Sequence, residues 1–271
     1  MPKLTSQRDL RSASQLPFCY LCGDAFSPND DVNDDHVPPT SLFEKKDRDA
    51  PLILRTHVLC NHGEHINDEM IGQLVAFIHG RPLASNRRPL KAQLIKDNGD
   101  TITMSRMLNI HGFIRRCVRA CHAALYHFWL PTDTPNAFHP PLRGGVFDSD
   151  TGQPTDEFNA QLLNDKALGQ HALWTMVLKQ NRVANNTDKI VCRNGTCIYE
   201  CVWTHMDNGA PICILGLKIY EWQRFGDMVG YERRGCVGMY MPKAGRPPNA
   251  TKATDLDFPF SNRQKLDPFA G

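Results

Sequence analysis

The sequence predicts an α+β fold, and three patterns carry that prediction. Residues 16 to about 80 read as strand, loop, strand, helix. Asp34-Asp35-His36-Val37-Pro38-Pro39 is the end of a strand entering a turn, because a residue before proline is pushed toward extended geometry. Leu52–Leu59 is a β-branched and apolar run of strand type. Ile66, Met70, Ile71, Leu74, Val75 and Ile78 then recur at helical spacing and stop near Gly80 and Pro82. The second pattern is a helix from about Ser105 to Phe128, with Met107, Ile110, Ile114, Val118, Cys121 and Leu125 on one face. Arg115, Arg116 and Arg119 fall off that stripe. The third is a C-terminal region that opens with a short helical stretch and turns β-rich. There Asn194-Gly195 suits the positive φ angles of a two-residue hairpin turn, and Asp207-Asn208-Gly209 marks another turn.

These patterns divide the chain into residues 1–80, a basic helical and linker region at 81–150, and a β-rich accessory region at 151–271. The Pro- and Gly-bearing segment Pro131–Thr155 reads as a boundary, and the tail after Pro242 is expected to be poorly ordered. No internal repeat is present.

At 271 residues, with 41% hydrophobic and 22% charged residues, the composition is that of a globular protein. No apolar run approaches the roughly 20 residues of a membrane span. The polar N-terminus does not read as a secretory signal, so a cytoplasmic protein with no membrane partner is expected. The net charge of +2 excludes nothing. Its distribution is more informative: Arg81 to Arg119 holds nine Lys/Arg against two acids, a stretch able to contact phosphates or to form a solvated face.

Ten cysteines in a cytoplasmic chain should be reduced, which makes metal binding the question. Cys19-x2-Cys22 is followed, after 34 intervening residues, by His57-x2-Cys60. Three thiolates and one imidazole make a closed tetrahedral set for structural Zn²⁺. The alternatives are a redox CxxC, which no βαβ pattern supports, and unrelated buried residues. Cys117 and Cys121 on the predicted helix, with His122 beside them, read as packing, as does the alternation Cys197, Tyr199, Cys201, Trp203.

Between the two pairs lies Asp35-His36-Val37-Pro38-Pro39, and directly after Cys60 comes Asn61-His62-Gly63-Glu64-His65. This arrangement over residues 17 to 78 resembles the HNH (ββα-metal) endonucleases, especially bacterial and phage members in which DHVPP precedes a C-x2-C-N-x-G knuckle. His57 stands where those members have a cysteine, a swap that keeps a zinc ligand. The resemblance implies an N-terminal ββα-metal module that hydrolyses DNA phosphodiester bonds. His36 would be the general base, neutral near pH 7. Asp35 and Asn61 would ligate a catalytic Mg²⁺ or Mn²⁺, and Asn61 would lie at a helix N-terminus that favours phosphate. His65, four residues on and on the same helical face, would be a further ligand or a phosphate contact. No loop residue matches the family's middle Asn, which orients the base; Asp49 stands nearby.

Kinship of this kind also implies ties to phages, mobile elements or anti-phage defence. The partner expected is DNA, with RNA as an alternative substrate, and the C-terminal region is available to a protein partner or a second copy. The rival reading is a non-catalytic zinc-stapled module that binds nucleic acid or protein.

Overall fold

The computed structural model describes residues 1–62, 65–78, 92–96, 100–104, 109–139, 165–206, 208–220 and 236–253. In chain order these form β1 (Lys3–Leu4), α1 (Gln7–Ala13), β2 (Val32–Val37), β3 (Leu52–His57), α2 (Val58–Asn61), α3 (His65–Ile78), β4 (Ala92–Lys96), β5 (Asp100–Met104), α4 (Ile110–Tyr126), β6 (Asn136–His139), α5 (Asp165–Val183), β7 (Asp188–Cys192), β8 (Cys197–His205), β9 (Pro211–Ile219) and β10 (Cys236–Tyr240). The fold is mixed α and β, as the sequence predicts.

β2 and β3 pair antiparallel from Val32 opposite His57 to Val37 opposite Leu52. Their alternation decides which side chains turn inward: Asp35 and Val37 are buried, and so are Leu52, Leu54 and Thr56. The helix after β3 is broken. Four residues, Val58–Asn61, form α2, and α3 begins at His65. Asn61 therefore closes a helical turn, where the sequence placed it at a helix N-terminus. Ile71, Leu74 and Val75 of α3 face the core, whereas Ile66 is half-exposed.

The second hairpin, β4–β5, was not read from the sequence, although Asn98-Gly99 between two β-branched runs is a hairpin signal. The next helix consequently starts later than predicted, at Ile110. Asn109 caps it by accepting from the Gly112 amide at 2.8 Å.

Six strands form the main sheet in the order β1-β7-β8-β9-β10-β6, with β1 parallel to β7 and every other pair antiparallel. Cys197, Tyr199, Cys201 and Trp203 of β8 face α4, as their alternation predicts. The opposite face packs Val202, Ile212, Ile214 and Met239 against Trp174, Val177 and Leu178 of α5. A strand covered on both faces reads as a nearly continuous apolar run, which explains the composition of β8 and β9. The β7–β8 turn is longer than the two residues expected. Cys192 pairs with Cys197, and Arg193, Asn194 and Gly195 all have positive φ, at 53°, 51° and 81°.

The segment after Pro242 is ordered through Ala253, which corrects the expectation for the tail. Thr251 accepts from the Trp203 amide at 2.9 Å, and Ala253 donates back to the Trp203 carbonyl at 2.6 Å. Thr251 also donates its amide and hydroxyl to the buried Asp188. Residues 254–271 lie outside the described residues. Residues from all three sequence regions, among them Leu10, Tyr20, Leu54, Val118, Tyr199 and Trp203, share one core. No helix among the described residues is long and apolar enough to cross a membrane.

Candidate functional site

The first pair of predicted metal ligands sits on a tight turn made by backbone hydrogen bonds. Gly23 donates to the Cys19 carbonyl at 2.8 Å, and the Cys19 amide donates to the Asp24 carbonyl at 2.9 Å. Gly23 has φ +92°, and a Cβ there would lie 2.5 Å from the Trp129 ring, so only glycine fits. The second pair comes from the end of β3 and the turn of α2. The donor atoms of Cys19, Cys22, His57 and Cys60 all fall within 4.8 Å of one another, the one such grouping among the described residues. Cys22 Sγ lies 3.3 Å from His57 Nδ1. This cluster can hold a zinc-like metal.

Burial acts on the thiols at Cys22 and Cys60. Burial, with Cys19 contributing, pushes the Cys22 thiol up to about 12, and burial beside the same thiols raises Cys60. Thiols packed this closely resist ionisation unless a dication sits among them, and three sulfurs with one imidazole are the donors zinc takes. His57 Nε2 lies 3.2 Å from Asp30 Oδ2, which leaves Nδ1 facing the sulfurs. The imidazole is further held edge-on by Phe26, with ring centroids 5.2 Å apart. Neither Asp30 nor Phe26 was singled out from the sequence. Each is a first-loop residue whose role depends on where β3 ends.

The remaining predicted residues divide between the two faces of β2. Asp35 is buried at 6% exposure and accepts from the Tyr20 hydroxyl. Burial first, and then the Asp35 charge, push the Tyr20 hydroxyl well above its ordinary range. Asn33 shares the Asp35 face. Its Oδ1 accepts from Thr56 at 2.8 Å and lies 3.5 Å from Asn61 Nδ2, so Asn61 packs back onto β2. Asp35 and Asn61 carry oxygen donors of the hard type that Mg²⁺ takes while keeping waters, with Asp35 accepting from Tyr20 and Asn61 held against Asn33. Both Asp35 and Asn61 are almost fully buried, at 6% and 5% exposure.

His36 is half-buried and points to the other face, together with the exposed Asp34. Burial first, and then the Arg193 charge, hold its pKa below the ordinary value, against the pull of Asp35 and Asp34. A neutral imidazole at neutral pH can accept a proton. Asp49 is exposed, and the His65 side chain lies outside the described residues.

Two of the arginines expected to face phosphate are internal. Arg116 is 4% exposed and pairs with Asp68 at 2.6 Å, and Arg119 is 6% exposed and donates to the Leu130 carbonyl at 2.8 Å. The helical stripe placed them off the apolar face, but α4 is covered on nearly every side, which no amphipathic reading anticipates. Arg115 is exposed; Arg81, Arg87, Arg88, Lys91 and Arg106 lie outside the described residues.

Compared with family models, curated proteins and solved structures, the chain matches none.

Proposed function

We propose that this chain is a metal-dependent endonuclease of the HNH type. The observation that carries the reading is the joint placement of three features. β2 presents Asp35 and His36, antiparallel β3 ends in a metal ligand, and Asn61, next to the last ligand, folds back on the Asp35 face. Zinc held by Cys19, Cys22, His57 and Cys60 would fasten the base of this hairpin to α2. His36 would take the proton from the attacking water. Asp35 and Asn61 would hold a Mg²⁺ or Mn²⁺ ion, which when bound offsets charge on the phosphate and the leaving oxygen. DNA is the proposed substrate class.

A second reading has its own support. Asp35 is buried and hydrogen-bonded to Tyr20, and Arg116 and Arg119 are engaged inside the protein. Those features suit a zinc-stapled binding module without catalysis. Incubating the protein with plasmid DNA and with RNA, in Mg²⁺, Mn²⁺ or EDTA, separates the two. The nuclease reading expects cleavage that EDTA abolishes and that His36→Ala reduces by about 10²- to 10⁴-fold. Absence of cleavage with every metal decides for the binding module, whereas full activity in His36→Ala overturns the role given to His36.

A further inference from the structure

The β2–β3 connection, residues 38–51, is gripped from outside by the main sheet. Arg193, in the β7–β8 turn, is 1% exposed. Its Nη2 donates to the Pro38 carbonyl and to Thr40 Oγ1, each at 3.1 Å, and its Nη1 donates to the Arg48 carbonyl at 2.9 Å. Its backbone amide donates to Ala50 at 3.0 Å, and its guanidinium lies over Phe43, 5.1 Å from the ring centroid. One side chain thus binds both ends of the loop that leaves β2. The neighbouring Asn194 donates to the Lys46 carbonyl at 3.0 Å. Tyr220, just past β9, accepts from the Glu44 amide at 3.0 Å and donates to Asp47 at 2.9 Å.

Arg193 and Asn194 are two consecutive non-glycine residues of positive φ, at 53° and 51°. Such backbone is uncommon outside glycine, so the sheet supports an unfavourable geometry in order to place the guanidinium. Pro38, whose carbonyl it holds, is two residues beyond His36.

We propose, resting on the nuclease reading above, that Arg193 is the positioning residue for His36. No loop residue matches the family's orienting Asn, and the C-terminal sheet takes over that task by fixing the backbone into which β2 runs. Full burial keeps Arg193 off substrate, so it acts through the loop and not on phosphate. The three contacts are made from two nitrogens of one planar group, Nη1 to Arg48 and Nη2 to Pro38 and Thr40, an arrangement that the single nitrogen of a Lys ammonium does not reproduce.

The test compares wild type with Arg193→Lys, with Asn194→Gly as a control that keeps the turn and removes only the Lys46 contact. Zinc content and circular dichroism establish that each variant is folded. Arg193→Lys is expected to lower kcat on the order of 10- to 100-fold with KM within about twofold, as a displaced base does. Asn194→Gly is expected to retain wild-type kcat. The second readout is the ¹⁵N-edited imidazole spectrum, with the His36 ring assigned by its loss in His36→Gln. In Arg193→Lys the His36 signals should shift or split while those of His57 stay in place. Unchanged His36 signals, or a folded Arg193→Lys with wild-type kcat, overturn the proposal, as does an equal loss in Asn194→Gly. If wild type cleaves nothing with any metal, the nuclease reading falls separately, and the ring spectrum alone decides whether Arg193 positions His36.

Discussion

Asp30 contacts the ring nitrogen of His57 that faces away from the thiols, and this determines which nitrogen is left to meet a metal. Carboxylates in that position orient the imidazole and raise its basicity. Asp30→Ala should therefore weaken zinc binding by about 10- to 100-fold in competition with a chromophoric chelator, and an unchanged affinity would show that the contact is incidental. Loss of a ligand is a larger change: Cys60→Ser should purify with reduced zinc by elemental analysis, and undiminished zinc rules out this ligand set. A different kind of residue effect sits in the core. His122 is 1% exposed, lies 2.7 Å from the Tyr240 hydroxyl, and has its pKa lowered by burial from 6.5 to about 3. The folded state holds it neutral, whereas the unfolded chain protonates it below pH 6.5. Stability from this group is therefore complete above pH 6.5 and is lost as pH falls toward 3. The loss approaches about 1.4 kcal/mol per pH unit. His122→Gln should flatten that acid limb in urea unfolding measured between pH 6.5 and 4.5. An equally steep limb would assign it to other groups.

At the level of elements, the turn that carries Cys19 and Cys22 depends on one close approach. Gly23→Ala adds a Cβ at 2.5 Å from Trp129 in a backbone with φ +92°. Both effects act in the same direction and should destabilise the protein by about 1–3 kcal/mol in chemical denaturation, with weaker zinc retention. Wild-type stability in that variant would mean that the Trp129 ring moves aside freely. α4 shows how an element can hide from pattern reading. Arg116 and Arg119 are buried because Asp68 of α3 and the carbonyls of Leu21 and Leu130 meet them, and a helix wheel contains none of those partners.

For the molecule as a whole, one core joins Tyr20 and Leu54, near the candidate metal cluster in sequence, to Tyr199 and Trp203 of the sheet. Stripping metal with a chelator should lower the midpoint of one cooperative thermal transition; two separated transitions would show independent units. The segment through Ala253 belongs to the same assembly. Ending the chain at Met241 removes the Thr251 bonds to Asp188 and the backbone pairing with Trp203, and leaves a buried carboxylate short of donors. A loss of at least about 2 kcal/mol is expected by urea denaturation. An unaltered midpoint would show that Tyr126, which also donates to Asp188 at 2.7 Å, suffices alone.

Much of this was legible along the chain because it is local. The paired spacing of Cys19, Cys22, His57 and Cys60, the strand ending at Val37 before two prolines, and the alternation in β8 each depend on neighbours a few residues apart, where backbone geometry alone sets which side chains meet. The tertiary structure decided what depends on distant segments. It turned Asp35 inward onto Tyr20 and His36 outward, placed Arg116 and Arg119 in the interior, drew the tail onto Trp203, and brought Arg193 across 155 residues of sequence to the Pro38 carbonyl. Burial and long-range hydrogen bonding have no period in a sequence. The ligand set could therefore be read in advance, while the brace beside His36 emerged only when the sheet and the hairpin were packed together.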